Sequence, residues 1–393
     1  MRRLFVLDPV CAQPYGHNIN ALHYFSEFFE ATGYDVQALS SRLLPEELTL
    51  GKISREFSFL YDDAINVTSL MSRSERDFMR TAADPGSKLA LATGEMHAFL
   101  SAFDVTRDDK VFFPSVDFYG LMGFLLANNA REEARRPQLY LRFIGVMERT
   151  APGFPEPRNR LFSELRRALG SDENRINLSA ETPELAGIMT QDLGVPVATT
   201  PYPLLDEARP MSMDGPLVIL AAGASRFDKG YTRLKPIYDH LTQIAELGSF
   251  EFIIQSPPED VLAASLQYSG ELFSLPHVHI MPSTLTKDVL DACYERAHVV
   301  VMPYDRAVYS DRGSAVMQEA AAYGRFVVGQ LGTGFAPQIS TYGIGLVANT
   351  EIDFATQLGR IIALPREQLA NLALEGRANY VADARQAYES WLQ

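Results

Sequence analysis

Leu217-Val218-Ile219-Leu220-Ala221-Ala222-Gly223-Ala224-Ser225-Arg226-Phe227-Asp228-Lys229-Gly230-Tyr231 is the stretch on which the fold turns. Its first five residues are apolar without interruption, as in a strand buried on both faces of a parallel sheet. The small-residue turn that follows lies at the carboxyl end of that strand, where open α/β sheets bind their ligands. That turn delivers Arg226 and Lys229 close together. A forked guanidinium and a compact ammonium suit a pyrophosphate, on which negative charge builds as its ester partner departs. Cations at a helix start are otherwise unfavourable by about 0.3–1 kcal/mol, so solvation alone leaves the placement unexplained.

The same alternation of short apolar runs and helical periods extends in both directions. Downstream, strands are expected at 251–254, 278–281, 299–302 and 325–328, with helices starting near Lys229, Pro258, Lys287, Ser314 and Ile352 and a last one over 366–392. Upstream, strands are expected at 4–7, 35–38, 110–114, 139–143, 175–178 and 195–198, and helices at 17–31 and 183–193. Alternation of this kind gives βα units and parallel sheets. Residues 201–215 are Pro-rich and polar and read as a connector. Residues 45–105 are less regular and read as a helical insertion. A chain of 393 residues exceeds one compact core. The expectation from pattern alone is an α/β chain of two consecutive parallel-sheet domains, 1–203 and 204–375, followed by a final helical stretch over 376–393.

The bulk numbers narrow the chemistry. A net charge of -14 and a pI near 5.0 exclude a nucleic-acid binder, whose affinity rests on neutralising phosphates. A local basic pocket remains compatible with that balance. Cys11 and Cys293 are the two cysteines, too few and too far apart for a disulfide framework or a thiolate zinc site, which fits a reducing cytosol. The opening Met1-Arg2-Arg3-Leu4-Phe5-Val6-Leu7-Asp8 is too short in its apolar run for a signal peptide. No window approaches the roughly 18 apolar residues of a membrane span. A cytoplasmic chain is expected, with peripheral contact at the inner face of a membrane left open.

A second cluster sits downstream. Val299-Val300-Val301-Met302-Pro303-Tyr304 reads as a buried strand, and Ser310-Asp311-Arg312-Gly313-Ser314 then opens a small-residue helix that runs to Gly324. A helix start offers free N–H groups and a positive dipole to an anion. Gly313 allows close backbone approach and the Ser314 hydroxyl adds a donor. Glu319, a turn and a half further on, is placed to accept two ribose hydroxyls, although an exposed helix glutamate is the commoner fate of such a residue.

Together these features resemble the retaining GT-B glycosyltransferases of family four, the group 1 glycosyl transferases. The resemblance covers most of residues 215–350. Arg226 and Lys229-Gly230 match the Arg and Lys-Gly that follow the family's first strand of the second domain. Asp311 and Glu319 fall on its two spaced glutamates, with Asp311 one methylene shorter than the family's residue. Gly324-Arg325-Phe326-Val327-Val328 with Gly332-Thr333-Gly334 matches the succeeding strand and turn. His279-Ile280-Met281-Pro282-Ser283-Thr284-Leu285 matches the stretch on which the nucleobase lies. The resemblance implies transfer of a sugar from a nucleotide-diphosphate sugar to a hydroxyl of a glycan, lipid or small-molecule acceptor, with retention of configuration. It implies a GT-B fold of two Rossmann-like domains facing across a cleft, with the acceptor bound by 1–203, the nucleotide sugar by 204–375 and residues 376–393 packing back on the first. It also implies catalytic roles for Arg226, Lys229 and Asp311. Donor contacts fall to Gly16, Ser225, Pro282, Leu285, Arg312, Gly313, Ser314 and Glu319.

The first domain is less specific. Gly16 lies in the loop after the first strand, matching the Gly-bearing loop that GT-B enzymes set against donor phosphates and acceptor. His17 has two readings, a general base as in inverting relatives or a first-turn helix residue. The family's middle-strand His is missing; Asp117 stands nearby, either as a hydroxyl acceptor at the acceptor site or as the cap of the next helix. Glu181-Thr182 resembles a recurrent segment or simply caps a helix. Gly332-x-Gly334 lacks the third glycine of a dinucleotide fingerprint, and neither a P-loop nor Gly-x-Ser-x-Gly occurs. Asp-x-Asp is absent too, so cationic side chains and helix ends are expected to act without a metal or other cofactor. Two other readings stay open: a sugar-nucleotide epimerase of the same fold, and a catalytically silent GT-B scaffold.

Overall fold

The computed structural model describes residues 2–12, 17–58, 85–149, 151, 156–172, 175–204, 208–223 and 225–392. These fall into two compact units, Met1–Pro203 with Ala387–Gln393, and Leu204–Gln386.

The first unit is a parallel βα assembly. In chain order it comprises β1 (Arg2–Asp8), α1 (His17–Ala31), β2 (Tyr34–Ser41), β3 (Ile53–Phe57), α2 (Pro85–Ala102), β4 (Lys110–Phe113), α3 (Phe118–Asn129), β5 (Gln138–Phe143), α4 (Pro157–Asp172), β6 (Ile176–Ala180), α5 (Pro183–Leu193) and β7 (Ala198–Thr199). The sheet order is β3-β2-β1-β4-β5-β6-β7, parallel at every pairing. The order reverses between β1 and β4, which makes their carboxyl ends the switch point where such sheets bind ligands. One face is sealed by an apolar cluster that includes Phe5, Leu7, Phe113 and Leu141, the other by one that includes Leu4, Val6, Phe25, Phe112 and Tyr388.

The second unit repeats the plan with β8 (Leu217–Ala221), α6 (Leu234–Leu241), β9 (Phe250–Gln255), α7 (Glu259–Ala264), α8 (Leu266–Phe273), β10 (Val278–Met281), α9 (Lys287–Arg296), β11 (Val299–Met302), α10 (Arg306–Tyr309), α11 (Ala315–Ala322), β12 (Phe326–Gln330), α12 (Ala336–Tyr342), β13 (Gly345–Ala348) and α13 (Glu351–Ile362). Its order is β10-β9-β8-β11-β12-β13, again parallel throughout. The reversal lies between β8 and β11. Helix α14 (Arg366–Trp391) begins in this unit, and its last residues belong to the first.

The structure corrects three expectations. Residues 45–105 are not purely helical: Ile53–Phe57 form β3 at the sheet edge, paired with β2. The last strand of the first unit, expected at 195–198, is the two-residue β7, Ala198–Thr199. No α-helix starts at Lys229; two single 3₁₀ turns, Phe227–Lys229 and Tyr231–Arg233, precede α6. The boundary between the two units, Pro203/Leu204, falls within the expected connector 201–215, in which Tyr202, Leu204 and Met211 are buried. Residues 59–84 of the expected insertion lie outside the described residues. No helix among the described residues is long and apolar enough to cross a membrane.

Candidate functional site

The turn after β8 is built around two glycines. Gly223 sits at φ +88°, in the left-handed region that favours glycine. Its carbonyl accepts a hydrogen bond from Lys229 Nζ. A methyl group there would meet Lys229 Nζ at 2.5 Å and Val316 Cγ2 at 2.7 Å. Lys229 and the first turn of α11 therefore converge on one backbone position. Gly230, at φ +74°, closes the turn, and any Cβ there would collide with the Pro303 carbonyl after β11. The pair Lys229-Gly230 thus fits only because the chain runs backbone to backbone across the β8/β11 switch point.

Burial sets the ammonium's chemistry. Desolvation, reinforced by the Arg226 charge, lowers Lys229 to about 8, while Asp228 and Glu319 pull it back up. Nζ lies 5.9 Å from the centre of the Tyr304 ring. Such a lysine is still mostly cationic at neutral pH and gains strongly from an anion brought into its desolvated site.

Arg226 behaves differently. It is exposed and bonds its near neighbour Asp228 in bidentate fashion, Nε to Oδ1 at 2.9 Å and Nη2 to Oδ2 at 2.8 Å. Tyr309 donates to the same carboxylate at 3.2 Å. The guanidinium is therefore half neutralised before any ligand arrives, with part of its donor set still facing solvent. Sequence reading had no signal for this pairing beyond the presence of Asp228.

Helix α11 begins at Ser314, whose Oγ accepts from the Met317 N–H at 3.4 Å. Acting as N-cap acceptor leaves the Ser314 O–H to serve as a donor, and it faces the Tyr304 hydroxyl. Arg312 lies beside it, its guanidinium 5.4 Å from the Tyr309 ring centre. Asp311 is buried, and a methyl on Gly334 would meet its carbonyl carbon at 2.5 Å. Gly313 is half-buried between them, and Ser225, in the first turn, is buried.

Glu319 is not a freely exposed helix glutamate. Tyr294 of α9, buried and stacked on Tyr323 with centroids 5.1 Å apart, donates to Glu319 Oε2 at 2.8 Å. Burial pushes the Glu319 carboxyl above the usual carboxylate range, against the opposing effects of Tyr294 and Lys229. Its Oε1 accepts no hydrogen bond among the described residues.

Pro282 and Leu285 flank a loop after β10 that is tied to the Gly223 turn. Gln255, the last residue of β9, accepts from the Gly223 N–H at 2.7 Å and donates to the Ser283 carbonyl at 2.7 Å. Both Gln255 and Tyr294 went unnoticed in the sequence. Each acts on a residue 25 or more positions away, and neither belongs to a motif.

In the first unit, Gly16 lies outside the described residues, and His17 is described only as the first residue of α1. Asp117 is fully buried and caps α3, its Oδ2 accepting from the Gly120 N–H at 2.7 Å. Of its two readings the structure displays the cap and no exposed hydroxyl acceptor. Asp8, at the end of β1, is equally buried, and its two carboxylate oxygens accept from Asn18 Nδ2 at 3.1 and 2.9 Å. Burial pushes each of these carboxyls up to about 7, and the Asp117 charge adds to the shift at Asp8. Thr182 caps α5, and Glu181 pairs with Arg142 at 3.1 Å. Among the described residues no group of three or more His, Cys, Asp or Glu could hold a metal ion.

No family model matches the chain, and no curated protein matches it by sequence. Solved structures do. The lipopolysaccharide outer core galactosyltransferase WaaB, in its apo form, is 13% identical at TM-score 0.63, covering 100% of this chain and 99% of that one. A sucrose-phosphate synthase from Thermosynechococcus elongatus is 14% identical at TM-score 0.65, covering 100% and 98%. The E. coli trehalose-6-phosphate structure with bound UDP-2-fluoro glucose is 12% identical at TM-score 0.62, covering 99% and 98%. The likeness runs the full length of both partners and establishes a GT-B fold with two Rossmann-like units.

Proposed function

We propose that the chain is a glycosyltransferase that moves a sugar from a nucleotide-diphosphate sugar to an acceptor hydroxyl with retention of configuration. The observation that carries this reading is the convergence of Lys229 and the start of α11 on Gly223, at the carboxyl edge of β8 and β11. A departing diphosphate needs positive charge fixed in place before it leaves, in a site drier than water. The α11 start supplies about half an elementary charge and free N–H groups, Ser314 its O–H, and Lys229 a desolvated ammonium. Arg226 and Arg312 would lie at the solvent side of the same diphosphate. Glu319 Oε1 is suited to accept the ribose hydroxyls, with Oε2 pinned by Tyr294. The base would lie along Pro282–Leu285, and the acceptor, a glycan, lipid or small molecule, would belong to the first unit.

In the reaction the bond from the sugar's anomeric carbon to the diphosphate oxygen breaks, and a bond to the acceptor oxygen forms on the same face. The departing diphosphate oxygen takes the acceptor's proton. No protein base is required, so the burial of Asp8 and Asp117 is no obstacle. Neither a metal nor another cofactor enters the scheme, because the cations and the helix start hold the charge. Asp311, buried just ahead of α11, would fill the catalytic place of the family's first glutamate.

Lys229→Ala should lower turnover by about 10²–10³ while leaving the melting profile intact. The measurement is product formation across a panel of UDP-, GDP- and ADP-sugars, preceded by a thermal-shift screen that picks the donor by mass action. Near-normal turnover in that variant would sink the assignment. Donor isomerised without any acceptor would instead indicate an epimerase.

A further inference from the structure

The carboxyl edge of the second sheet carries a strut whose two ends serve different parts of a ligand. The sheet order β10-β9-β8 places Gln255, at the end of the middle strand, between the turn after β8 and the loop after β10. Its carboxamide is buried and committed in both directions: Oε1 accepts the Gly223 N–H and Nε2 donates to the Ser283 carbonyl, each at 2.7 Å. Gly223 is thus held twice, its N–H by Gln255 and its carbonyl by Lys229. A primary amide suits this post because it offers an acceptor and a donor on one rigid plane. A carboxylate or a hydrocarbon offers at most one of the two.

Resting on the reading of this edge as a nucleotide site, we infer that Gln255 is a positioning residue. It couples recognition of the nucleobase at the 282–285 loop to grip on the phosphates at Gly223 and Lys229. The strut already ties Gly223 to Ser283, so a ligand that reaches both positions is spared the cost of bringing them into register. Without the strut, a nucleoside diphosphate bears that cost in full, and inorganic pyrophosphate, which touches only one loop, bears less of it. The signature is unequal loss of affinity.

The test titrates UDP, GDP, ADP and inorganic pyrophosphate calorimetrically into the unaltered protein, Gln255→Leu and Gln255→Glu, with melting curves as a check on folding. Two lost hydrogen bonds predict roughly tenfold weaker binding of the preferred nucleoside diphosphate by Gln255→Leu, and a smaller loss for pyrophosphate. With the donor sugar, KM should rise by a similar factor and kcat should change by less than about threefold. Gln255→Glu keeps the acceptor for Gly223 but sets a carboxylate against the Ser283 carbonyl. Its affinity relative to the unaltered protein should be poor at pH 8 and recover as the pH is lowered far enough to protonate the new acid, which then regains a donor. Equal losses for diphosphate and pyrophosphate, or a fall in kcat with KM unmoved, overturn the coupling while leaving the nucleotide site standing. Absence of binding by all three nucleotides to the unaltered protein overturns both together.

Discussion

Both sheets present charged side chains at their carboxyl edges, and they treat them in opposite ways. In the second unit the charges other than the buried Asp311 stay within reach of a ligand. Arg226 is exposed, Arg312 and Glu319 are half-buried, and Lys229 waits on a backbone carbonyl that an anion can outbid. In the first unit the corresponding ends of β1, β4, β5 and β6 swallow their charges. Asp8 and Asp117 are 0% exposed and Arg142 is 1% exposed. Arg142 pairs with Glu181, bonds the Pro114 and Thr200 carbonyls at 3.0 and 3.1 Å, and lies against the Phe25 and Tyr202 rings. One edge is prepared for a partner that comes and goes; the other is finished with its own chain. Similar residue types at equivalent topological positions therefore carry different meanings, and burial decides which.

The sharpest attack on this contrast is Arg142→Ala. If the first edge is structural, removing the guanidinium strands Glu181 in the core and should cost about 3–5 kcal/mol, read as a drop in the denaturant midpoint. Lys229→Ala should cost almost none. A small loss at Arg142 would erase the distinction between the edges.

Next in size is a pH effect on the second edge. Only the ammonium form of Lys229 attracts the diphosphate, and its free-protein pKa is near 8. The value of kcat/KM should be level below that pH and fall about tenfold per unit above it, since this ratio reports the free enzyme. A profile still flat at pH 9.5 would mean that the lysine is not the group that matters.

The smallest effect separates the units by stability. Asp8 and Asp117 titrate near 7 in the folded chain and near 3.9 when unfolded, so the folded first unit holds extra protons between those values. Their contribution is greatest below about pH 4 and is lost as pH rises through 7. His298 in the second unit runs the other way. Its Nδ1 accepts from the Val218 N–H at 3.0 Å, and Nε2 faces the Ser212 carbonyl at 2.9 Å, so the neutral ring is required. Burial lowers its pKa, and the stability that it lends is lost as pH falls below about 6.5. Trp391, the one tryptophan, packs against Phe112 and Tyr140 of the first unit and makes its fluorescence a reporter for that unit alone. Asp117→Asn, which keeps an acceptor for the cap, should raise the fluorescence-detected unfolding free energy at pH 8 by about 1 kcal/mol and do little at pH 4.5. Equal shifts at both pH values would deny the buried carboxyl its role.

How much of this was legible beforehand follows the same division. Uninterrupted apolar runs such as 217–221 and 299–302 announced the central strands, because a strand covered on both faces has no polar positions to blur it. Edge strands lack that signature. Ile53-Ser54-Arg55-Glu56-Phe57 alternates buried ends with an exposed middle, and Gly345-Leu346-Val347-Ala348 is short and only half-buried, so neither stood out. In the site, Lys229-Gly230 and Ser314 were readable because local chain geometry fixes them. Gln255, Tyr294 and the Arg226–Asp228 pairing were not, since their meaning arises only when distant strand ends meet. Asp117 carried two readings because a capping aspartate and a ligand-binding aspartate look alike until burial is known.

Helix α14 carries one more consequence. The first unit borrows its closing piece from the far end of the sequence: Tyr388 lies fully buried against Phe25, Phe28 and Phe29, and its hydroxyl donates to the Thr200 carbonyl at 3.3 Å. A ribosome that has released residues 1–203 has released a sheet with an aromatic socket still vacant. Synthesis delivers domains from the amino end onward, yet here the earlier-made half waits for the later one. Its interior is completed only when the last helical turn emerges, so a stalled or clipped chain lacks the plug for the half it made first.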